Sequence, residues 1–408
     1  MRTEPDEMPS LSLPSLPSGW SYSSLESHLV DKGISYGVVQ PGVDDPDGVP
    51  VLRVGNLRNG RIAADDPLRI SPDIERLYER TRLQGGEVVL SLVGSVGEVA
   101  VVPELFAGWN VARAVAVLRL KKPAQANWMK FCLQAPLAQK YMRMWQNTTV
   151  QATLNLGDVK RLPIVVPPHH EQDAIALILL ALDDKIESNQ RICLKLDAIA
   201  RTDVHAAQVR ADDVLSLGDL VERVSETVKP TDLDNATVYV GLEHIPRGSL
   251  FLSEWGRVEL LASAKARFES GDVLFGKLRP YFQKVSIAPC AGVCSTDVFV
   301  LRPKRTELGA FATVVCASDD VINYASAGAH GTRMPRVSWE YLSAWKVRVP
   351  TPETLHSLQE RLDPMFQLGI RLSYESVTLA ELRGALLPKL LSGELQVRDA
   401  ENLVEQAV

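Results

Sequence analysis

A chain of 408 residues exceeds a single ordinary hydrophobic core, so two or more domains are expected. Its 46% apolar and 23% charged residues suit a soluble protein, and no apolar run reaches the roughly 18 residues of a membrane span. A net charge of −6 counts against nucleic-acid binding only if charge is spread evenly, and it is not: residues 265–305 hold eight Lys or Arg against three Asp or Glu.

Residues 1–17 carry prolines at 5, 9, 14 and 17 among serines and acids, lack the apolar centre of a secretory signal, and read as a flexible tail. A first domain is expected over residues 18–167. Its short runs rich in Val, Ile and Leu at 49–54, 87–92 and 114–120 read as strands, and Gly55, Gly60, Gly94 and Gly97 punctuate them as turns or bulges. A helical stretch at 128–145 makes the domain mixed α/β.

At Pro167-Pro168 the texture changes to a helical period. Ile175, Leu179, Leu182, Ile186, Cys193, Leu196 and Ala200 recur in steps of three and four, with Asn189 filling the polar slot of a coiled-coil seam over residues 168–211. A helix from 171 to about 207 would be roughly 55 Å long, the span of on the order of sixteen base pairs. Taken alone, such a helix reads as a dimerisation device.

A second mixed α/β domain follows over residues 212–350, with strands at 272–276 and 297–301 and turns at Gly241, Gly248 and Gly276. The seam returns over residues 351–396 with Leu355, Leu358, Leu362, Met365, Leu372, Leu379, Leu382 and Leu386, closing at Ser392-Gly393. Pro364 and Pro388 predict a kink or short break in it. Residues 397–408 read as a tail.

The second half repeats the first. Ser24-Leu25 matches Ser216-Leu217 at a shift of 192, Val54-Gly55 matches Val240-Gly241 at 186, Gly86-Glu87-Val88 matches Gly271-Asp272-Val273 at 185, and Leu118-Arg119 matches Leu301-Arg302 at 183, as does Val166-Pro167 with Val349-Pro350. A shift that drifts in one direction is what duplication followed by loop-length change leaves. The expected fold is therefore two similar mixed α/β (α+β) recognition domains separated by two long antiparallel coiled-coil helices, an internal pseudo-twofold repeat.

The motifs of catalysis are missing. No Gly-x4-Gly-Lys-Ser/Thr phosphate loop occurs, Gly94-Ser95-Val96-Gly97 lacks the lysine, and no Asn/Asp-Pro-Pro-aromatic motif of adenine methyltransferases is present. Cys290 and Cys294 form one close pair without a second pair at zinc spacing. His169-His170 reads as a solvated loop or partner contact, and Pro72-Asp73 stands too far from Asp158-Val159-Lys160 to make a nuclease set. No catalytic residue, metal or cofactor is expected. The odd count of five cysteines suits reduced thiols in the cytoplasm.

Several segments resemble one known family, the specificity subunits of type I restriction-modification enzymes. Residues 271–303, GDVLFGKLRPYFQKVSIAPCAGVCSTDVFVLRP, are similar to its target-recognition domains; LPSGWSYSSLESHL at 16–29 and ISYGVVQPG at 34–42 resemble the opening of the first domain. LPIVVPPHHEQDAIALILLALDDKI at 162–186 resembles the central helix with its Glu171-Gln172 pair, and ALLPKLLSGELQV at 385–397 the carboxyl-terminal one; VPTPETLHSLQERL at 349–362 lacks the Glu-Gln pair. The resemblance implies a bipartite double-stranded DNA target, one half read by each domain across a gap set by the helices. It also implies two modification subunits that bind S-adenosylmethionine and methylate adenine, and two ATP-dependent restriction subunits.

Candidate DNA contacts are basic and amide side chains on loops. In the second domain these are Lys277, Arg279, Tyr281 and Lys284 after a strand, and His330, Thr332, Arg333 and Arg336 on a glycine-containing loop; in the first, Asn147, Thr148, Thr149 and Gln151 on the corresponding loop, with Arg113 aligned to Thr296. Arg279 and Tyr281 read equally as scaffold. A non-catalytic adaptor that binds protein and dimerises through its coiled coil is the competing reading, and the local basic patch and duplicated domains favour DNA.

Overall fold

The computed structural model describes residues 13–63, 67–146, 152–258 and 263–407. Its contacts divide the chain into two units, Met1–Ala181 with Leu382–Ala407, and Leu182–Glu381. The boundaries cut both long helices, so the helices belong to the domains they brace.

In the first unit a four-stranded antiparallel sheet runs in the order Leu29–Tyr36, Val115–Leu120, Val88–Ser91, Val99–Val101. The two inner strands read Val-Val-Leu-Ser and Val-Ala-Val-Leu-Arg-Leu, and β-branched residues buried on both faces fit that central place. A three-stranded sheet orders Leu68–Ile70, Val49–Leu52 and Asn110–Val111, the last two parallel. A two-stranded ribbon pairs Ser21–Ser24 with Pro163–Val166. Helices Ala126–Gln134 and Pro136–Met144 cover the core, with Phe131 fully enclosed and the Trp128 indole donating to the Val165 carbonyl at 3.2 Å.

The second unit repeats the core of this plan. Val221–Val224, Val298–Pro303, Val273–Gly276 and Val285–Ile287 form the four-stranded sheet; Gly256–Arg257, Val238–Val240 and Gly292–Cys294 form the parallel-containing one, extended by Lys265–Phe268 and Thr227–Val228; Asp213–Ser216 and Lys346–Val349 form the ribbon. Equivalent registers give shifts of 192 for Ser21 and Asp213, 185 for Val88 and Val273, and 183 for Val166 and Val349.

One sequence match is corrected. The Leu52 carbonyl accepts from Ala112 N–H as the Val240 carbonyl accepts from Ser295 N–H, so Val240 is the counterpart of Leu52 at a shift of 188. Val54 lies in the 3-10 turn Val54–Asn56, past the strand end, and its identity with Val240 is coincidental. The drift from 192 to 183 still falls in one direction.

The dipeptides that match between copies build one ion pair in each, a half-buried arginine on a buried carboxylate. Arg119 reaches Glu87 at 3.4 Å, and Arg302 grips Asp272 through two bonds of 2.7 Å. Both carboxylates also accept from the turn before the strand, Glu87 from Gln84 and Gly85 N–H and Asp272 from Glu269 N–H. Charged hydrogen bonds that fix a strand entry resist substitution in one partner, which explains why these positions survived duplication.

The two long helices are His169–Val209 and Pro352–Ser392, each of 41 residues. Within the second unit they run antiparallel: Lys185 pairs with Glu375 at 3.1 Å, Asn189 donates to Glu375 at 2.9 Å, the Cys193 thiol to the Gly369 carbonyl at 3.6 Å, and Arg361 pairs with Asp203 at 2.9 Å. The polar slot read at Asn189 is thus buried and satisfied, a device that fixes helix register. In the first unit Trp20 donates to Glu171, and Gln172 donates to the Pro167 carbonyl at 2.7 Å while accepting from Gln125. In the second unit Gln359 performs the bracing, accepting from Ala310 N–H at the start of helix Gly309–Cys316.

Two expectations are revised. Of the kink or short break expected at Pro364 and Pro388, the break does not occur: one helix runs through both. The carbonyls these prolines leave unpaired belong to Glu360 and Gly384, both on exposed positions open to solvent, and Leu362, Phe366, Leu386 and Leu390 are buried in the core. Residues 397–408, read as a tail, contain a helix, Val397–Ala407, whose Ala400 is fully buried. Among the described residues no helix is long and apolar enough to cross a membrane.

Candidate nucleic-acid interface

In each copy the strand that ends at Ser91 or Gly276 runs on into a tight turn, and a second loop is pinned beside it. In the first copy Val93 bridges Thr153, Gly94 N–H donates to Ala152 and Leu154 N–H to Leu92; in the second Leu278 bridges Arg336, Arg279 N–H donates to Pro335 and Val337 N–H to Lys277. These bonds correspond one to one. They make the loops around 147–151 and 330–336 equivalent at their bases, although Asn147, Thr148, Thr149 and Gln151 themselves lie outside the described residues.

In the second copy His330 and Arg336 exchange two backbone bonds of 3.0 Å, closing a loop whose Gly331 takes a φ of 118° that only glycine adopts freely. Residues 330–334 are exposed. The candidates here divide by what holds them. Arg333 makes no side-chain ion pair among the described residues and offers only its carbonyl inward, to Arg279 at 2.9 Å. Arg336 is clasped by Asp297 at 2.7 and 3.3 Å, a pairing that raises its already high pKa.

Lys277 is half-buried over the Phe299 ring, 5.2 Å from its centre, with Arg223 at the same distance. Burial pushes its pKa down, against the pull of Asp297 and helped by the Arg223 and Arg336 charges. Lys284 donates to the Leu242 carbonyl and is spent on the scaffold. Thr332 and Tyr281 face solvent.

The turn Pro280–Phe282 is bounded by two residues in the left-handed region, Arg279 at φ 50° and Gln283 at φ 54°. Their counterparts in the first copy are Gly94 and Gly97, with φ of 77° and 97°. Side chains in this region cost on the order of 1–2 kcal/mol each. The second copy therefore holds by strain what the first copy reaches with glycine, and gains Arg279, Tyr281 and Phe282 at the surface.

In the first copy the cations stand elsewhere. Arg113 is exposed in the turn between Asn110–Val111 and Val115–Leu120. Arg53, which sequence reading missed, follows the neighbouring parallel strand Val49–Leu52, so both arginines leave the carboxyl ends of adjacent parallel strands. That position favours ligand binding in open α/β sheets and could have been found by aligning Leu52 with Val240. The equivalents in the second copy are the uncharged Gly241 and Thr296. Arg247, also missed, is exposed and bridges Lys284 through its backbone.

Among the described residues no group of three or more His, Cys, Asp or Glu is placed to hold a metal. Cys294 is buried with its thiol pushed up to about 12, chiefly by desolvation, and such burial disfavours the thiolate a metal requires.

Residues 43–197 match the family model described as the type I restriction modification DNA specificity domain. Two proteins of Escherichia coli are similar over the same order of length: the type I restriction enzyme EcoBI specificity subunit, 29% identical over 42% of this chain and 37% of its own, and the EcoDI specificity subunit, 26% identical over 45% of this chain and 43% of its own. Over these residues the chain is similar to type I specificity subunits. It spans less than half the length of these curated relatives in the matched regions. The fold is shared more widely. The S subunit of a type I restriction-modification system from M. genitalium superposes with a TM-score of 0.57 over 93% of this chain and 98% of that one, at 15% identity. The features common to both copies are ion pairs and strands, and the features that differ lie in loops.

Proposed function

We propose that the chain is the specificity subunit of a type I restriction-modification complex, with each domain reading one half of a bipartite DNA target. The observation that carries this is the duplication itself: two domains with the same core strand order keep their scaffold ion pairs and place their exposed arginines differently, at Arg53 and Arg113 in one and Arg247 and Arg333 in the other. The long helices set the gap between half-sites and, with neighbouring domain surfaces, dock two modification subunits. Methylation and ATP-dependent cleavage belong to the modification and restriction partners, and the complex works in the cytoplasm. Because the chain is acidic overall, at −6, DNA binding is weak alone and tight once the modification subunits complete a clamp.

Co-expression with the partner methyltransferase, followed by mapping of methylated adenines across a genome, tests this. The expected result is a split motif with a constant gap. Exchanging residues 18–165 for those of another specificity subunit changes one half of the motif and leaves the other. A continuous motif, or none, overturns the bipartite reading.

A further inference from the structure

The turn Pro280–Phe282 carries two adjacent aromatic side chains at the surface, Tyr281 49% and Phe282 39% exposed, with ring centres 4.8 Å apart. Exposed large rings side by side cost solvation, and proteins retain them where a partner covers them. This pair is also held rigidly. Arg279 and Gln283 flank it in left-handed conformations, Phe282 N–H bonds back to Arg279 and Gln283 N–H to Pro280. The Gln283 amide donates to Asp319 at 3.2 Å, and the Arg279 guanidinium lies 6.0 Å from the Phe282 ring while it holds the Arg333 carbonyl. Strain that persists on both sides of an exposed tip marks a place whose geometry is used.

The surroundings select the partner. Arg279, Arg333 and the exposed Arg247 lie on the tip or on the segments bonded to it, and these three cations outnumber Asp319 and Asp320 at the start of the helix packed against the turn. An aromatic tip among arginines fits nucleic acid, where cations take phosphates and a ring takes a base face or enters a base step. The first copy lacks the device. Between its Gly94 and Gly97 stand only Ser95 and Val96, one residue fewer and no ring.

We propose that Tyr281 is a stacking wedge, inserted at one base step of the half-site read by the second domain, with Phe282 and Arg279 as its buttress. The two half-sites are then read by different physics. The first is read by groove contacts alone, and the second also by how readily one step of the duplex unstacks, which favours a pyrimidine–purine step there. The proposal rests on the DNA-reading assignment made above.

The test uses the complete complex of the chain with its methyltransferase subunits, without methyl donor, on target duplexes carrying 2-aminopurine at one position at a time. In wild type, fluorescence rises at one position of the second half-site other than the methylated adenine. Tyr281→Ala removes that rise and weakens binding about tenfold or more, while Tyr281→Trp keeps both. Because Tyr281 is half exposed, Tyr281→Ala leaves the melting temperature unchanged, which separates the effect from misfolding. Specific binding with no rise, or a rise that survives Tyr281→Ala, overturns the wedge and leaves the DNA reading intact. A Tyr281→Ala chain that no longer assembles with its methyltransferase instead assigns the rings to a protein contact and also overturns it. A wild-type complex with no sequence preference overturns the DNA reading itself.

Discussion

Arg333 and Arg336 stand three positions apart on one loop in opposite electrostatic situations. Arg333 projects into water with no counter-charge among the described residues, whereas Arg336 has Asp297 within 2.7 Å. A free guanidinium meets a phosphate or a guanine edge without first breaking a bond, so Arg333→Ala is expected to weaken target binding by about 1–3 kcal/mol and leave the melting temperature unmoved. Arg336→Ala leaves the Asp297 carboxylate with Lys277 as its remaining neighbouring cation, a net gain of negative charge at the loop. Its loss of binding is smaller, and Asp297→Asn in the same chain recovers most of it. Titration of a labelled duplex against the assembled complex checks all three; a loss at Arg336 larger than that at Arg333 and not recovered by Asp297→Asn places Arg336 on the DNA. Sequence alone ranked these two arginines together, since the carboxylate that separates them lies 39 positions away.

The elements were legible where their periodicity was strong and opaque where packing overrode propensity. The seam from Ile175 to Ala200 and the strands around Val88 and Val115 follow from spacing. The unbroken helix through Pro364 does not, because the carbonyl that loses its donor lies at the exposed Glu360 while Leu362 and Phe366 are buried in the core. Nor does the left-handed Arg279, where composition argues for glycine and only the first copy supplies it. Two helix glycines make the same point testable. A Cβ on Gly384 meets nothing within 4 Å, while one on Gly369 falls 2.1 Å from the Phe251 ring, which itself packs edge to face on Phe366. Gly384→Ala should therefore stabilise by about 1 kcal/mol, the helix propensity gain. Gly369→Ala should destabilise by about 1–3 kcal/mol, because overpacking outweighs that gain. Denaturant unfolding of the two variants shows shifts of opposite sign; equal shifts would mean that Phe251 moves aside without cost.

At the scale of the whole chain, the repeat was readable because duplication preserved what the scaffold cannot lose. Gly86-Glu87 and Gly271-Asp272 enter the central strand through a left-handed glycine and a carboxylate clamped by arginine, and both copies need both. The exposed loops proposed to read DNA carry no such ion pair in common, so they show no repeat and their roles were not readable from it. That asymmetry has a measurable consequence. Arg113 and Arg333 belong to different units and share no bonded partner among the described residues, so their contributions to binding should add. Arg113→Ala is expected to relax or weaken only the half-site read by residues 18–167, and Arg333→Ala only the other half. The double variant should lose the sum of the two binding energies to within about 0.5 kcal/mol. A larger shortfall or excess, measured on the assembled complex with each half-site varied in turn, would mean that one domain alters how the other engages its half. Two independently tuned readers would then no longer describe the molecule.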